Sequence, residues 1–139
     1  MQSLKVADFM KVNPLVLKAE MTVAQAVEAL LERQSRGAPV VDEHKRLIGF
    51  VSEQDCLQKM LESGFYREQA ARVRDIMQTA VLIFRPYHSV MDVAELMIQA
   101  KPKIYPILDD DGVLKGCITR ADVLRAIDMH LRDGYRQAV

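Results

Sequence analysis

Two short segments of the sequence carry the same polar residues at the same spacing. The first is GFVSEQDCL at 49–57 and the second is GCITRADVL at 116–124; each has a hydroxyl residue followed three positions later by aspartate. Such a hydroxyl can cap the first turn of a helix, where an acidic side chain is also favoured by the helix dipole. Alternatively Asp55 and Asp122 can bind a ligand, because an ionised carboxylate accepts several hydrogen bonds. The spacing leaves both explanations open.

Patterns typical of enzymes and metal sites are missing from the sequence. It contains no GxxxxGK[ST] phosphate loop, no GxSxG and no HExxH. His44, His88 and His130 share no spacing with one another or with a cysteine, so metal ligation is not expected. Cys56 and Cys117 are expected to be buried thiols in a reducing compartment, and a disulfide is the alternative that the sequence leaves open. We therefore predict no enzyme, no catalytic residue, no metal site and no required cofactor.

The composition describes an ordinary globular chain without a dominant charge. Its 139 residues match one domain, or two small halves that share a core. Nineteen basic and nineteen acidic residues give zero net charge, so no global field favours nucleic acid or an anionic membrane. The sequence shows no signal peptide and no apolar run near the ~20 residues that a membrane span requires. We predict a soluble, cytoplasmic protein that binds no membrane and is not expected to bind nucleic acid.

The two polar segments belong to a longer ungapped repeat. Several residues between Val6 and Leu57 have an identical residue 67 positions later. A period this long, present twice, indicates duplication of a small fold rather than a solenoid. We predict repeats at 1–67 and 68–139, joined through the stretch 63–73. The matched pairs are Val6/Val73, Asp8/Asp75, Met10/Met77, Val23/Val90, Glu28/Glu95, Pro39/Pro106, Asp42/Asp109, Leu47/Leu114, Gly49/Gly116, Asp55/Asp122 and Leu57/Leu124.

Each half predicts the element order strand–helix–strand–strand–helix. An apolar extended segment (14–17 or 81–84) precedes a helix with one apolar face, whose start carries a potential capping box. A hairpin with a proline in its first strand follows, and the last helix starts at the repeated hydroxyl. The prediction is an α+β fold of two pseudo-symmetric β-α-β-β-α repeats, each a small, mainly antiparallel sheet with helices on one face. The predicted capping pairs are Thr22/Gln25 and Ser89/Asp92.

This doubled pattern resembles a tandem, stand-alone pair of CBS domains, the module named after cystathionine β-synthase. The resemblance is carried by APVVDEHKRLIGFVSEQD at 38–55 and YPILDDDGVLKGCITRAD at 105–122, with the lead-ins VADFM and VRDIM. It implies a pseudo-symmetric pair with two clefts between the repeats that bind adenosine-containing ligands such as AMP, ADP or ATP. It also implies a regulatory role, an unidentified protein partner and a homodimer.

The resemblance assigns candidate ligand-binding residues at matching positions. The carboxylates of Asp55 and Asp122 are expected to accept hydrogen bonds from the ribose hydroxyls. Ser52 and Thr119 lie at helix N-termini, where a phosphate is favoured. The other candidates are expected to line the base, read its edge or, for Arg120, meet a phosphate. They are Val16, Gly37, Ala38, Pro39, Ile83, Lys103, Ile104, Tyr105, Pro106 and Arg120.

The two halves differ beside the repeated aspartates. Arg120 follows Thr119, whereas Glu53 follows Ser52, so the second half is expected to bind phosphorylated adenosine better. Tyr105 departs from the small aliphatic residue that the family usually has there, and it can either stack on a base or fill the slot. Two other functions stay open: a ligand-free structural or dimerisation module and, less in keeping with the neutral charge, a nucleic-acid-associated regulator.

Overall fold

The computed structural model describes residues 4–68, 71–99 and 102–138, so residues 69–70 of the predicted join lie outside it. A 3-10 turn at Val6–Asp8 opens the described chain. The helices are α1 (Val23–Arg33), α2 (Glu53–Glu68), α3 (Val73–Ile76), α4 (Val90–Met97) and α5 (Arg120–Ala138). The strands are β1 (Gly37–Val41), β2 (Leu47–Ser52), β3 (Ile104–Leu108) and β4 (Leu114–Thr119). No described helix is long and apolar enough to cross a membrane.

Hydroxyl residues cap the helices that open each repeat, although in two different ways. The Thr22 hydroxyl accepts the Gln25 N–H at 3.0 Å, and the Gln25 side chain accepts the Thr22 N–H at 3.0 Å, so the predicted capping box of α1 is confirmed. At α4 the Ser89 hydroxyl accepts instead from the Met91 N–H, at 3.1 Å. The predicted box with Asp92 is therefore replaced by a simpler cap, which satisfies one of the free N–H groups of the first turn.

Each repeat contains a two-stranded antiparallel sheet, β1–β2 and β3–β4. The predicted strands at 14–17 and 81–84 are reduced to single parallel bridges, from Leu17 to Val40 and from Phe84 to Ile107. At the first bridge the Leu17 N–H donates to the Pro39 carbonyl at 2.9 Å. A longer ladder would next need an N–H at Pro39, which proline lacks, and Pro106 imposes the same limit in the second repeat. The predicted α+β fold of two repeats is confirmed with these shortened strands.

The chain packs as two compact units that are not contiguous in sequence. The Asp122 unit comprises Met1–Val12, Leu82–Asp111 and Lys115–Val139, and the Asp55 unit comprises Asn13–Val81 and Gly112–Leu114. Residues 6–11 therefore pack with the hairpin of the second repeat, and residues 73–78 with the hairpin of the first. We call these two stretches the lead-in segments. The predicted boundary between 67 and 68 stays a prediction about the duplication, because packing divides the chain elsewhere.

Both lead-in segments attach to their hairpins by the same backbone pairing. Lys11 and Cys117 exchange N–H···O=C bonds of 2.8 and 3.0 Å, and Gln78 and Phe50 exchange a pair of 2.9 Å each. The pairing requires glycine beside it. A Cβ on Gly116 would lie inside the 3.0 Å limit of real Cβ contacts from the Lys11 carbonyl oxygen, and one on Gly49 would lie 2.6 Å from Met77 Sδ. The repeated glycine thus allows the close approach of the lead-in segment.

Each unit has its own apolar core, built from helix faces and strand residues. The core of the Asp122 unit contains Val6, Phe84, Val90, Val93, Met97, Tyr105, Ile107, Ile118, Val123 and Ala126. The core of the Asp55 unit contains Leu17, Ala26, Leu30, Ala38, Val40, Val51, Cys56 and Val73. Val6 and Val73 lie at equivalent positions of the repeat, so each lead-in segment also contributes a buried side chain to the core.

Candidate functional site

The carboxylate of Asp122 completes the cap of α5. One of its oxygens, Oδ2, accepts hydrogen bonds from the Thr119 N–H and the Thr119 hydroxyl, both at 2.9 Å. The Thr119 hydroxyl in turn accepts the Asp122 N–H at 3.3 Å. These reciprocal bonds fix the carboxylate at the junction of β4 and α5, where the helix N–H groups begin.

The second oxygen of Asp122 faces two cations. Arg125 Nη1 donates to Oδ1 at 3.2 Å, and Lys11 Nζ lies 3.4 Å from the same atom. Asp122 is buried, with 1% of its surface exposed, and no other charged residue is buried in the described part of the chain. A buried carboxylate is stable only when its charge is compensated, and Lys11 and Arg125 supply that compensation from more exposed positions.

The equivalent carboxylate, Asp55, has a corresponding cap, and its side-chain partner from the lead-in segment is neutral. Its Oδ2 accepts the Ser52 N–H at 2.9 Å, and the Ser52 hydroxyl accepts the Asp55 N–H at 3.1 Å. The Gln78 amide donates to Oδ1 at 3.1 Å and lies 3.4 Å from Oδ2. Asp55 is half-buried rather than buried. Gln58, which occupies the position of Arg125, instead donates to Glu62 on the same helix at 3.2 Å.

The backbone brings the predicted edge-reading residues next to both caps. Gly37 pairs opposite Ser52 across the first hairpin, with Ala38 opposite Val51. In the second repeat the Lys103 carbonyl accepts the Arg120 N–H at 3.0 Å. Each unit therefore places a strand start, a hydroxyl and a carboxylate close together.

The predicted slot residues differ in their accessibility. Val16, Ile83, Lys103 and Ile104 are half-buried, and the Arg120 side chain is exposed. Ala38, Pro39, Tyr105 and Pro106 are buried. Ligand contact by any of these residues stays a prediction.

Tyr105 fills the core of the Asp122 unit. Its ring packs edge-on against Phe84 at a centroid distance of 5.5 Å, and 1% of its surface is exposed. Its hydroxyl is buried without a hydrogen-bond partner among the described residues, and burial raises the pKa of this phenol above its usual value. The ring is thus part of the apolar core of the unit, and a role of Tyr105 in a ligand slot stays a prediction. The equivalent residue, Ala38, leaves the other repeat without a ring at this position.

Comparison with known proteins decides the family. The family model for the CBS domain matches residues 6–62 and again residues 73–129. The chain belongs to the CBS-domain family. The predicted tandem CBS pair is thereby confirmed.

The relatives of this CBS pair include short and long proteins. The CBS domain-containing protein CBSX1, chloroplastic, of Arabidopsis thaliana is 31% identical over 88% of this chain, which spans 63% of that relative. Inosine-5'-monophosphate dehydrogenase of Aquifex aeolicus is 30% identical over 84% of this chain, which spans 23% of the enzyme. The crystal structure of CBSX2 from A. thaliana has a TM-score of 0.82 at 31% identity, with 94% of this chain and 99% of that one covered. The structure of CBSX2 in complex with AMP has a TM-score of 0.80 at 32% identity, with coverages of 91% and 98%.

Four residues around the carboxylates of this CBS pair were missed by the sequence predictions. Arg125 had a detectable signal, because a cation three positions after an acid on a helix can pair with it. Lys11 and Gln78 had none, because they reach the carboxylates from lead-in segments of the opposite repeat. Gln58 becomes informative only through its equivalence to Arg125.

Metal and disulfide chemistry receive no support from the described part of the CBS pair. It contains no group of three or more His, Cys, Asp or Glu side chains placed to hold a metal ion. Cys56 and Cys117 are buried free thiols, so the disulfide left open by the sequence is not formed. Burial, aided by the charge of Asp122, raises the pKa of the Cys117 thiol to about 12.

Proposed function

We propose that this CBS pair is a regulatory module that binds an adenosine-containing ligand and passes its ligand state to a partner protein. The candidate ligands are AMP, ADP, ATP or another compound that contains an adenosyl group. The observation that carries the proposal is the doubled cap, in which each unit holds a carboxylate beside a hydroxyl at a helix N-terminus. The AMP complex of CBSX2, at 32% identity, supports the choice of ligand class.

The doubled cap suits both ends of a nucleotide. A carboxylate can accept hydrogen bonds from two neighbouring ribose hydroxyls, a role for Asp55 and Asp122. The N-termini of α2 and α5 supply N–H groups and a positive dipole end for a phosphate. In this proposal Gly37 and Lys103 read the base edge through their backbones, because they lie beside the caps.

The Cys117 thiol is unsuited to nucleophilic catalysis. A nucleophilic thiol must ionise near neutral pH, whereas the pKa of Cys117 is raised to about 12 by burial. We propose that the chain acts without catalysis, as a cytoplasmic homodimer, and that it contacts neither membrane nor nucleic acid. In this proposal the protein partner binds or responds to the CBS pair according to whether the pair holds its ligand.

The alternative is a structural or dimerisation module that binds no ligand. It is favoured by the full hydrogen-bonding of Asp122 and by the ring of Tyr105, which is buried in the apolar core of the same unit. Both observations concern the Asp122 unit, whereas Asp55 is half-buried and Ala38 carries no ring.

Isothermal titration calorimetry separates the two functions. AMP, ADP, ATP and adenosine are titrated into the wild-type chain and into Asp55→Ala, Asp122→Ala and the double variant. We expect binding to the wild type, loss of one site in each single variant and no binding to the double variant. Asp128→Ala is the matched control, because Asp128 is an exposed aspartate of α5 that pairs with Arg132 at 3.1 Å.

A thermal-unfolding screen with the same compounds, together with S-adenosylmethionine and NAD, provides an independent measurement. A ligand that binds the native state alone stabilises it by ~2.7 kcal/mol at 100 times its Kd. Absence of both a heat signal and a thermal shift for every adenosyl compound, S-adenosylmethionine and NAD included, would overturn the sensor function in favour of the structural module.

A further inference from the structure

We propose that the two lead-in segments set the ligand charge that each unit accepts. Lys11 makes the Asp122 site dependent on a phosphorylated ligand, whereas Gln78 lets the Asp55 site accept an uncharged adenosyl ligand. Both residues come from the opposite repeat and occupy equivalent positions, 67 residues apart. This inference rests on the proposed binding of adenosyl ligands and adds the residues that determine their specificity.

The acceptor positions of the Asp122 carboxylate are already occupied. A carboxylate offers about four acceptor positions. Oδ2 uses two for the N–H and hydroxyl of Thr119, and Oδ1 faces Arg125 and Lys11. Two ribose hydroxyls can therefore bind Asp122 only if at least one cation leaves Oδ1.

A cation displaced from Asp122 needs a new partner of opposite charge. Lys11 and Arg125 have side chains that are 59% and 60% exposed, so either can move without leaving a buried position. An uncharged nucleoside offers the displaced cation no new partner. A phosphorylated ligand does, and Arg120 at the start of α5 adds a third cation nearby in sequence. The Asp122 site should consequently bind AMP in preference to adenosine.

The Asp55 carboxylate accepts hydrogen bonds from neutral donors instead of cations. Its donors are the Ser52 N–H and the Gln78 amide, and both are neutral. Ribose hydroxyls can replace an amide donor without separating an ion pair. Glu53, at the position of Arg120, adds a negative charge that disfavours phosphate at the start of α2. The Asp55 site should consequently tolerate adenosine as well as AMP.

Position along the backbone makes Lys11 and Gln78 comparable. Each is fixed by a pair of backbone hydrogen bonds to its hairpin, at Cys117 and Phe50. Exchanging the two side chains therefore changes charge and leaves this backbone pairing in place. Lys11→Gln and Gln78→Lys form a matched pair of swaps.

Calorimetry on single-site chains tests the swap. Lys11→Gln is measured in the Asp55→Ala background and Gln78→Lys in the Asp122→Ala background, each with AMP and with adenosine. We expect Lys11→Gln to lower the ratio of AMP to adenosine affinity by about tenfold, equivalent to ~1.4 kcal/mol, and Gln78→Lys to raise it by about as much. Raised salt should weaken the AMP preference at the Asp122 site. Lys115→Gln is the control, because Lys115 pairs with Asp109 on the hairpin, and should leave both ratios unchanged.

The possible results separate this inference from the proposed function. An unchanged ratio in either swap overturns the specificity role while leaving adenosyl binding intact. Absence of binding by the wild-type chain overturns both. Lys11→Arg should keep the AMP preference, which a merely structural role of Lys11 would not require. If Lys11→Gln does not fold, the Gln78→Lys variant still tests the specificity role. A raised ratio of AMP to adenosine affinity can be measured only on a folded chain, so misfolding cannot imitate it.

Discussion

Gly116 offers a direct test of how the lead-in segment is held. The residue lies in β4 next to Cys117, which exchanges two backbone hydrogen bonds with Lys11. A Cβ at Gly116 would collide with the Lys11 carbonyl oxygen, and backbone cannot move aside as a side-chain end can. The substitution Gly116→Ala should therefore separate residues 6–11 from the hairpin.

The size of the effect follows from three contributions. Overpacking costs roughly 1–3 kcal/mol, and each weakened backbone hydrogen bond costs roughly 0.5–1.5 kcal/mol. The alanine restricts the unfolded chain, which offsets roughly 0.4–1 kcal/mol. We expect Gly116→Ala to lower the free energy of unfolding by about 2–4 kcal/mol. Gly49→Ala should cost about 1–2 kcal/mol, because its nearest obstacle is the flexible thioether of Met77.

Urea denaturation measures the loss, and Gly134→Ala is the matched control. A Cβ at Gly134 meets no atom within 4 Å, and alanine is preferred in a helix by roughly 0.5–1 kcal/mol, so this variant should be more stable than the wild type. Amide exchange at Lys11 and Cys117 should accelerate in Gly116→Ala. A Gly116→Ala variant as stable as the wild type, or one that is destabilised while exchange at Lys11 stays slow, would refute this role of Gly116.

Two further predictions concern buried groups of the Asp122 unit. Tyr105→Phe removes a buried hydroxyl without a partner and should raise the free energy of unfolding by about 1 kcal/mol in urea denaturation; a loss of stability would indicate a partner for that hydroxyl. The pKa of the Cys117 thiol is raised from 9.0 to about 12, so the folded state holds this proton more tightly than the unfolded state does. The protonated thiol therefore contributes stability that is fully present below pH 9 and is lost as the pH rises toward 12. Urea midpoints measured across this range should fall less steeply with pH in Cys117→Ala than in the wild type. Equal pH dependence in the two proteins would contradict the raised pKa of Cys117.

The repeat and its caps were predictable because they depend on local residues. The constant offset between the two copies of Ser/Thr-x-x-Asp required no spatial knowledge, and the caps at Asp55 and Asp122 are formed by residues three positions apart. The hairpins followed for the same reason, since alternating apolar residues, glycine and turn residues act over short distances.

The exchange of the lead-in segments was not predictable from these local signals. Residues 6–11 pack with the second hairpin and residues 73–78 with the first, although both stretches carry the same V-x-D-x-M pattern. The shortening of the first strands depended on where Pro39 and Pro106 meet Leu17 and Phe84, which is a tertiary relation. The pairing of Lys11 with Asp122 was missed for the same reason, because Lys11 lies more than a hundred residues away in the chain.

The pairing of Lys11 with Cys117 also determines when each unit can form during synthesis on the ribosome. Residues 6–11 are synthesised before their hairpin partner, which is not available until β4 has left the exit tunnel. The hairpin of the Asp55 unit, by contrast, receives Gln78 soon after α2 has been made. Contacts this distant in sequence close slowly, because long loops must be ordered before any contact forms. Residues 6–11 thus lack this hairpin partner for an interval, during which any nascent-chain factor that protects exposed apolar residues would meet Val6 and its neighbours.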